Sequence, residues 1–181
     1  MLLTYIGQNV CYSLYLKRFP YVDILVIAVG FVLRAVAGVV VISVSLSHWL
    51  IITTFYLALV LALGKRRSEI QSASVSEDTR SSLDEYSEKT VDQMLTLIMA
   101  ALLVSYSMYT MLGTDSYLFV TLPFVCFGLF RHYHIVYDTE MRKYPHTLFT
   151  DVPSLLNIGL WTIVTMFLLY DGPAIVTNTF L

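Results

Sequence analysis

Gly64-Lys65-Arg66-Arg67-Ser68-Glu69-Ile70 sets three consecutive cations and a carboxylate directly after an apolar run of membrane-spanning length. Lys and Arg are natural ligands for phosphate, Arg as a bidentate fork and Lys as a point charge. A basic triplet beside a span has a plainer use, as a signal fixing which side of the membrane it stays on. The polar stretch that follows, to about residue 90, is longer than such a signal requires. Its Arg80 and Tyr86 are placed to close over a bound phosphate.

Arg34 is the sharpest single residue, set inside the apolar run Gly30-Phe-Val-Leu-Arg-Ala-Val-Ala-Gly38. An Arg there costs about 2.5–3.5 kcal/mol on insertion scales, so it is expected to face a bundle interior or a water-filled cavity. Gly30, Arg34 and Gly38 are spaced four apart and share one helix face, where small residues admit a neighbouring helix or a ligand. Anion binding is the favoured role; pairing with a carboxylate or backbone carbonyls is the structural alternative. Tyr12 and Lys17 close the first apolar stretch, a position where aromatic belts and topology signals are common. Asp23 is either a partner for Lys17 or a helix N-terminal charge. His132 and His134, two apart, point in different directions on a helix and make no metal pair. His48 and His146 are isolated, and no nucleophile elbow, zinc motif or phosphate loop is present in the sequence.

The elements that must position these residues are membrane helices. The chain is 57% hydrophobic and 13% charged, with a mean hydropathy of +0.70, against roughly 25% charged for a soluble domain. That composition excludes an ordinary soluble enzyme or nucleic-acid binder and points to an all-α polytopic membrane bundle. Cys11 and Cys126 lie in apolar stretches and are expected to be small buried hydrophobes. Residues 1–16 read as the tail of a membrane helix, followed by a short basic loop, Lys17-Arg18-Phe19-Pro20. Further spans are expected over 21–44, 48–63, 91–112, 117–137 and 153–170, making six in all. Trp49 is placed as an interfacial anchor, Thr90 as an N-cap, and Pro123 as a kink within the fifth span. Residues 64–90 form a polar cap loop within the single transmembrane domain 1–181, and 81–87 suit a short amphipathic helix.

Charge then orients the chain. If the Lys17-Arg18 loop is cytoplasmic, alternation puts 64–90 and 138–152 on the same side. Lys17, Arg18, Lys65, Arg66, Arg67, Arg80, Lys89, Arg142 and Lys143 all fall there, with Arg131 near that end of its helix, and the opposite loops contain neither Lys nor Arg. This is the positive-inside asymmetry of an inner-membrane protein with cytoplasmic polar loops.

Several of these stretches, in order, resemble one branch of the UbiA prenyltransferase superfamily, the decaprenyl-phosphate phosphoribosyltransferases. They are Tyr12-Ser-x-x-Leu-Lys17, Gly30 to Gly38, Leu61-Ala-Leu-Gly-Lys-Arg-Arg-Ser-Glu69, Arg80-x-x-Leu83-x-x-Tyr86 and Phe127-Gly-x-Phe-Arg131. The resemblance implies the last six helices of a nine-helix bundle whose active site lies under a cytoplasmic cap. It also implies transfer of 5-phosphoribosyl from phosphoribosyl pyrophosphate to a polyprenyl phosphate, with magnesium, for cell-wall glycan synthesis. By the same resemblance Lys17, Arg34, Lys65 and Arg66 bind phosphate or pyrophosphate oxygens. Tyr12 and Tyr86 position the ribose or phosphate, Glu69 orients a cation or the ribose hydroxyls, and Arg80 contacts substrate. The polyprenyl tail lies in a lipid-open groove.

One family element is missing from this sequence. The motif Asn-Asp-x-x-Asp-x-x-x-Asp, which holds the magnesium diphosphate in the family, is absent, so this chain is expected to hold no metal by itself. The resemblance places that motif upstream of residue 1. Three alternatives stay open: a non-catalytic or split subunit completed by a separate N-terminal chain or a homo-oligomer, an aromatic prenyltransferase, and a transporter fragment. The basic triplet speaks against the second. The lack of Gly/Pro-broken helices in repeated halves speaks against the third.

Overall fold

The computed structural model describes residues 21–41, 47–73, 87–112, 116–138 and 150–170. Five α-helices account for nearly all of them: α1 Val22–Val41, α2 His48–Ala73, α3 Glu88–Leu112, α4 Leu122–Tyr137 and α5 Val152–Tyr170, with a 3-10 segment Ser116–Thr121 before α4. Each helix, α4 taken together with the end of that segment, is long and apolar enough to cross a membrane. The protein is an all-α polytopic integral membrane protein. The expected first helix, residues 1–16, lies outside the described residues.

Helix α2 departs most from expectation. It does not stop at residue 63 but continues ten residues further, carrying the whole basic triplet. The reason is local. Lys, Arg, Glu and Gln are good helix formers, nothing in Lys65–Ala73 breaks a helix, and Lys65 and Arg66 both lie one turn before Glu69. At 1.5 Å per residue its 26 residues span roughly 39 Å, against a hydrocarbon core of about 30 Å. The polar stretch after Gly64 thus begins as helix rather than loop.

The other boundaries shift for identifiable reasons. Helix α1 spans Val22–Val41, within the expected 21–44, with Asp23 in its first turn. Helix α3 starts at Glu88, and the Val91 amide bonds to the Ser87 carbonyl. Thr90 is thus inside the helix and not its cap. Pro123 does not kink a continuous span: the chain runs as a 3-10 segment to Thr121, and Pro123 falls in the first turn of α4. A proline there forfeits no hydrogen bond, because first-turn amides have no intrahelical partner.

The chain forms two compact units, Met1–Leu102 and Leu103–Leu181. In the first, α1 packs on α2. Ala28, Gly30 and Ala58 are buried there, and Leu59, Val60, Leu63, Val91 and Leu95 complete an apolar core. Gly38 is different, since a Cβ added to it meets nothing.

In the second unit, α4 packs on α5 with the 3-10 segment against both. Trp161 Nε1 donates to the Tyr106 hydroxyl at 3.0 Å, which lies 2.6 Å from Thr121 Oγ1, and Thr121 donates to the Leu118 carbonyl. Asn157 Nδ2 donates to the Phe124 carbonyl at 2.9 Å beside Gly128. With no water in a bilayer core, such polar groups bond inward while apolar side chains face out. Leu155, Leu156, Ile158, Ile163 and Phe167 of α5 do face out. Cys126 is half-buried, and Cys11 lies outside the described residues.

Two glycines on this pair of helices should respond in opposite ways to alanine. Gly159 has open space, so Gly159→Ala is expected to stabilise by up to about 1 kcal/mol through helix propensity. At Gly128 the new methyl group would stand 3.2 Å from Asn157 Nδ2, displacing the interhelical bond and forfeiting that gain. Thermal unfolding of both variants in detergent micelles, followed by Trp fluorescence, checks the ordering.

Candidate functional site

Successive residues on an α-helix step by about 100°. Lys65, Arg66 and Arg67 therefore cannot point the same way, and the structure sends them to three destinations. Arg66 reaches α1, where its Nη2 is hydrogen-bonded and ion-paired to Asp23 Oδ2, while its Nη1 donates to Glu69 Oε2 at 2.9 Å. Arg67 reaches α3, with Nε donating to Asp92 Oδ1 at 2.7 Å and Nη1 lying 3.7 Å from Glu88 Oε1. Lys65 turns outward: its side chain is 59% exposed, and its Nζ is 3.8 Å from Glu69 Oε1.

Burial shows which of these pairs hold structure. Asp23 is only 2% exposed, and a buried carboxylate is tolerated when paired and hydrogen-bonded. Ser68 and Ile70 are buried on the same segment. Glu69, half-exposed, contacts both Lys65 and Arg66 and so joins the anchored cation to the exposed one. The cluster holds three cations, Lys65, Arg66 and Arg67, against four carboxylates, Asp23, Glu69, Glu88 and Asp92. It is a braced ion-pair lattice with an exposed Lys65–Glu69 edge, not a bare basic patch.

The structure thus brings together Lys65, Arg66 and Glu69 among the residues singled out from sequence. Arg34 sits elsewhere. It is exposed on α1, its guanidinium carbon 4.9 Å from the Phe31 ring centroid. Eleven residues of helix put it roughly 16 Å along the axis from Asp23. Tyr12, Lys17, Arg80 and Tyr86 lie outside the described residues. His132 is buried and His134 exposed, as their two-residue spacing predicted, with His134 Nε2 3.8 Å from Asp138 Oδ2.

Sequence reasoning missed the partners. The sequence suggests Lys17 or the helix dipole as the counterpart of Asp23; it does lie in the first turn of α1, and there it pairs with Arg66. Glu88 and Asp92, the partners of Arg67, carry no motif that marks them in the sequence. The available signal was topological: the charged ends of consecutive apolar runs on one side of a membrane must meet. Magnesium can also be tested against these groups. Each carboxylate of the lattice contacts a lysine or arginine, and the described residues contain no group of three His, Cys, Asp or Glu arranged to hold a metal ion. The described residues do not fit a magnesium site.

A second ion pair lies in the other unit. Arg131 grips Asp151 through two bonds, Nε–Oδ2 at 3.0 Å and Nη2–Oδ1 at 2.6 Å. Asp151 also caps α5, accepting from the Ser154 amide and hydroxyl at 3.0 and 2.6 Å. The sequence Asp-Val-Pro-Ser, with a capping side chain followed by a first-turn proline, was the signal for this. The Arg131 guanidinium holds the Asp151 carboxyl well below the usual carboxylate range; burial opposes the shift and the Ser154 bonds reinforce it.

Two outcomes follow from these pairs. Arg67→Gln should cost about 1–3 kcal/mol of unfolding free energy, because it strands Asp92, whereas Lys65→Gln should cost under about 0.5 kcal/mol. Chemical unfolding in micelles separates them. For Asp151, the folded pKa lies below the unfolded one, so its contribution is complete above pH 3.8 and fades as pH falls towards the folded value. The stability gap between wild type and Asp151→Asn should therefore be flat near neutrality and shrink only in that acid window, read by Trp161 fluorescence.

No family model matches the chain. It is similar to a decaprenyl-phosphate phosphoribosyltransferase of Mycolicibacterium smegmatis, 32% identical over 106 residues, covering 58% of this chain and 33% of that protein. A protein of the same name from Corynebacterium glutamicum is 31% identical over 106 residues, covering 58% and 32%. One from Mycobacterium tuberculosis is 26% identical over 110 residues, covering 60% and 36%. The matched stretch spans about a third of the length of these curated relatives. Over rather more than half of its length, the chain is similar to part of the decaprenyl-phosphate phosphoribosyltransferases, the branch its motifs resemble.

Proposed function

We propose that the chain carries part of the phosphate-handling side of a membrane enzyme that moves a 5-phosphoribosyl group from phosphoribosyl pyrophosphate to a polyprenyl phosphate. The observation that carries the reading is the edge formed by Lys65, Arg66 and Glu69 in the polar C-terminal part of α2. The similarity to transferases of that name supports it. In this reading the edge faces the cytoplasm at the inner membrane, on the side favoured by the positive-inside asymmetry.

The chemistry asks little of a base. The bond from ribose C1 to the pyrophosphate oxygen breaks with its electron pair going to pyrophosphate, and an oxygen of the already anionic polyprenyl phosphate forms the new C1–O bond. What the protein supplies is positive charge where pyrophosphate develops its own, aimed beforehand. Lys65, exposed and able to swing, makes the phosphate contact. Arg66, fixed to Asp23, gives that contact a stationary cation behind it. Glu69 faces the ribose hydroxyls as an acceptor, and the polyprenyl chain lies against the outward apolar faces of the helices.

A second reading has its own support: Arg66 and Arg67 each contact two carboxylates, which suits a non-catalytic or split subunit that binds the donor while another chain completes catalysis. Binding of labelled phosphoribosyl pyrophosphate to membranes containing the chain tests both. Lys65→Ala is expected to weaken binding about tenfold, ~1.4 kcal/mol. Wild-type binding in both Lys65→Ala and Arg66→Ala would contradict the site. Binding without transfer of label to added decaprenyl phosphate selects the second reading.

A further inference from the structure

Asp23 is the least exposed charged side chain in the lattice, at 2%, and it stands in a different helix from the cations it serves. Its carboxylate meets Arg66 at Nη2, Glu69 meets the same guanidinium at Nη1, and Glu69 closes the chain Asp23–Arg66–Glu69–Lys65. Just before it the backbone departs from the ordinary. Tyr21 has a φ of 65°, the one positive value at a non-glycine among the described residues, and its carbonyl accepts the first helical bond from Leu25. A bulky residue held in the left-handed region is uncommon and strained, and such strain persists where surrounding structure requires it. Here the left-handed turn leads directly into the first turn of α1, where Asp23 meets Arg66.

We propose that Asp23 is a positioning residue for the anion site: it holds Arg66, and through Glu69 the reach of Lys65, in register for the diphosphate of a phosphoribosyl donor. This rests on the phosphoribosyl reading above. Asp23 touches no substrate; it acts on binding only through Arg66. Without it, Arg66 retains Glu69 as a partner and swings towards it, pulling that carboxylate away from Lys65 and away from the ligand.

The dependence on Arg66 makes the proposal testable by a double-mutant cycle. Binding of labelled phosphoribosyl pyrophosphate is measured on the whole chain in membranes for wild type, Asp23→Asn, Arg66→Gln and the double variant. The double variant leaves no buried charge stranded. Asp23→Asn is expected to weaken binding about tenfold when Arg66 is present, and to have no further effect in the Arg66→Gln background. Asp151→Asn, which breaks an ion pair in the other unit, serves as control and should lower thermal stability without changing affinity.

If wild type binds and Asp23→Asn binds equally well, or if its effect persists in the Arg66→Gln background, the positioning role is overturned while the phosphoribosyl reading stands. If wild type itself binds no donor, both fall together. Should Asp23→Asn not fold, the same cycle is run with Asp23→Glu, which keeps the charge but moves it by one methylene. A severalfold loss confined to the chain that retains Arg66 is then expected, and unchanged affinity overturns the proposal.

Discussion

A guanidinium taken out of water must meet a carboxylate, and on the first compact unit this requirement ties three helices together. Two adjacent arginines on one helix point about 100° apart, so satisfying both takes acids from two different neighbours. Arg66 draws on Asp23 of α1 and Arg67 on Asp92 of α3. The apolar spans fix only that these helices lie in a membrane, because packing of greasy faces against one another gains little over contact with lipid. The ion pairs add register: they settle how far along α2 the start of α1 and the start of α3 must lie. The Ala28, Gly30 and Ala58 contacts then let α1 and α2 close up around that register.

The same constraint shapes what the basic triplet does. Had the three cations been in a loop, all could have turned to one phosphate. On a continuous helix they divide, two serving as braces and one facing out. The length of α2 matters equally, since its continuation past Gly64 holds Lys65 and Glu69 one helical turn apart. A phosphorylated donor would meet an organised edge, with little side-chain entropy left to lose at Arg66 and most of it at Lys65.

Much of the architecture was legible because hydropathy is a strong signal over twenty residues. The spans of α1, α3, α4 and α5 lie within a few residues of where apolar runs place them. The errors were at polar ends, where hydropathy falls silent and helix propensity decides: Gly64 marks where the apolar run stops, not where the helix does. Pro123 misled in a related way, because a proline's effect depends on whether it falls in a first turn. Residue types singled out Lys65, Arg66 and Glu69, and the continuous helix brings the three side chains together within about one turn. Asp23 and Asp92 were invisible as partners, lying 43 and 25 residues away from their arginines. Arg34 shows the opposite failing: its isolation in an apolar run made it conspicuous, yet it stands apart from the lattice, over Phe31.

Whether the Lys65–Arg66 edge binds a phosphorylated sugar donor is decided by equilibrium binding to the wild-type chain. Membranes containing the chain are titrated with labelled phosphoribosyl pyrophosphate at low and at raised salt, with unlabelled pyrophosphate as competitor. Saturable binding, displaced by pyrophosphate and weakened severalfold by salt as screened charge contacts demand, is expected. Binding that never saturates, or that pyrophosphate does not displace, would contradict it.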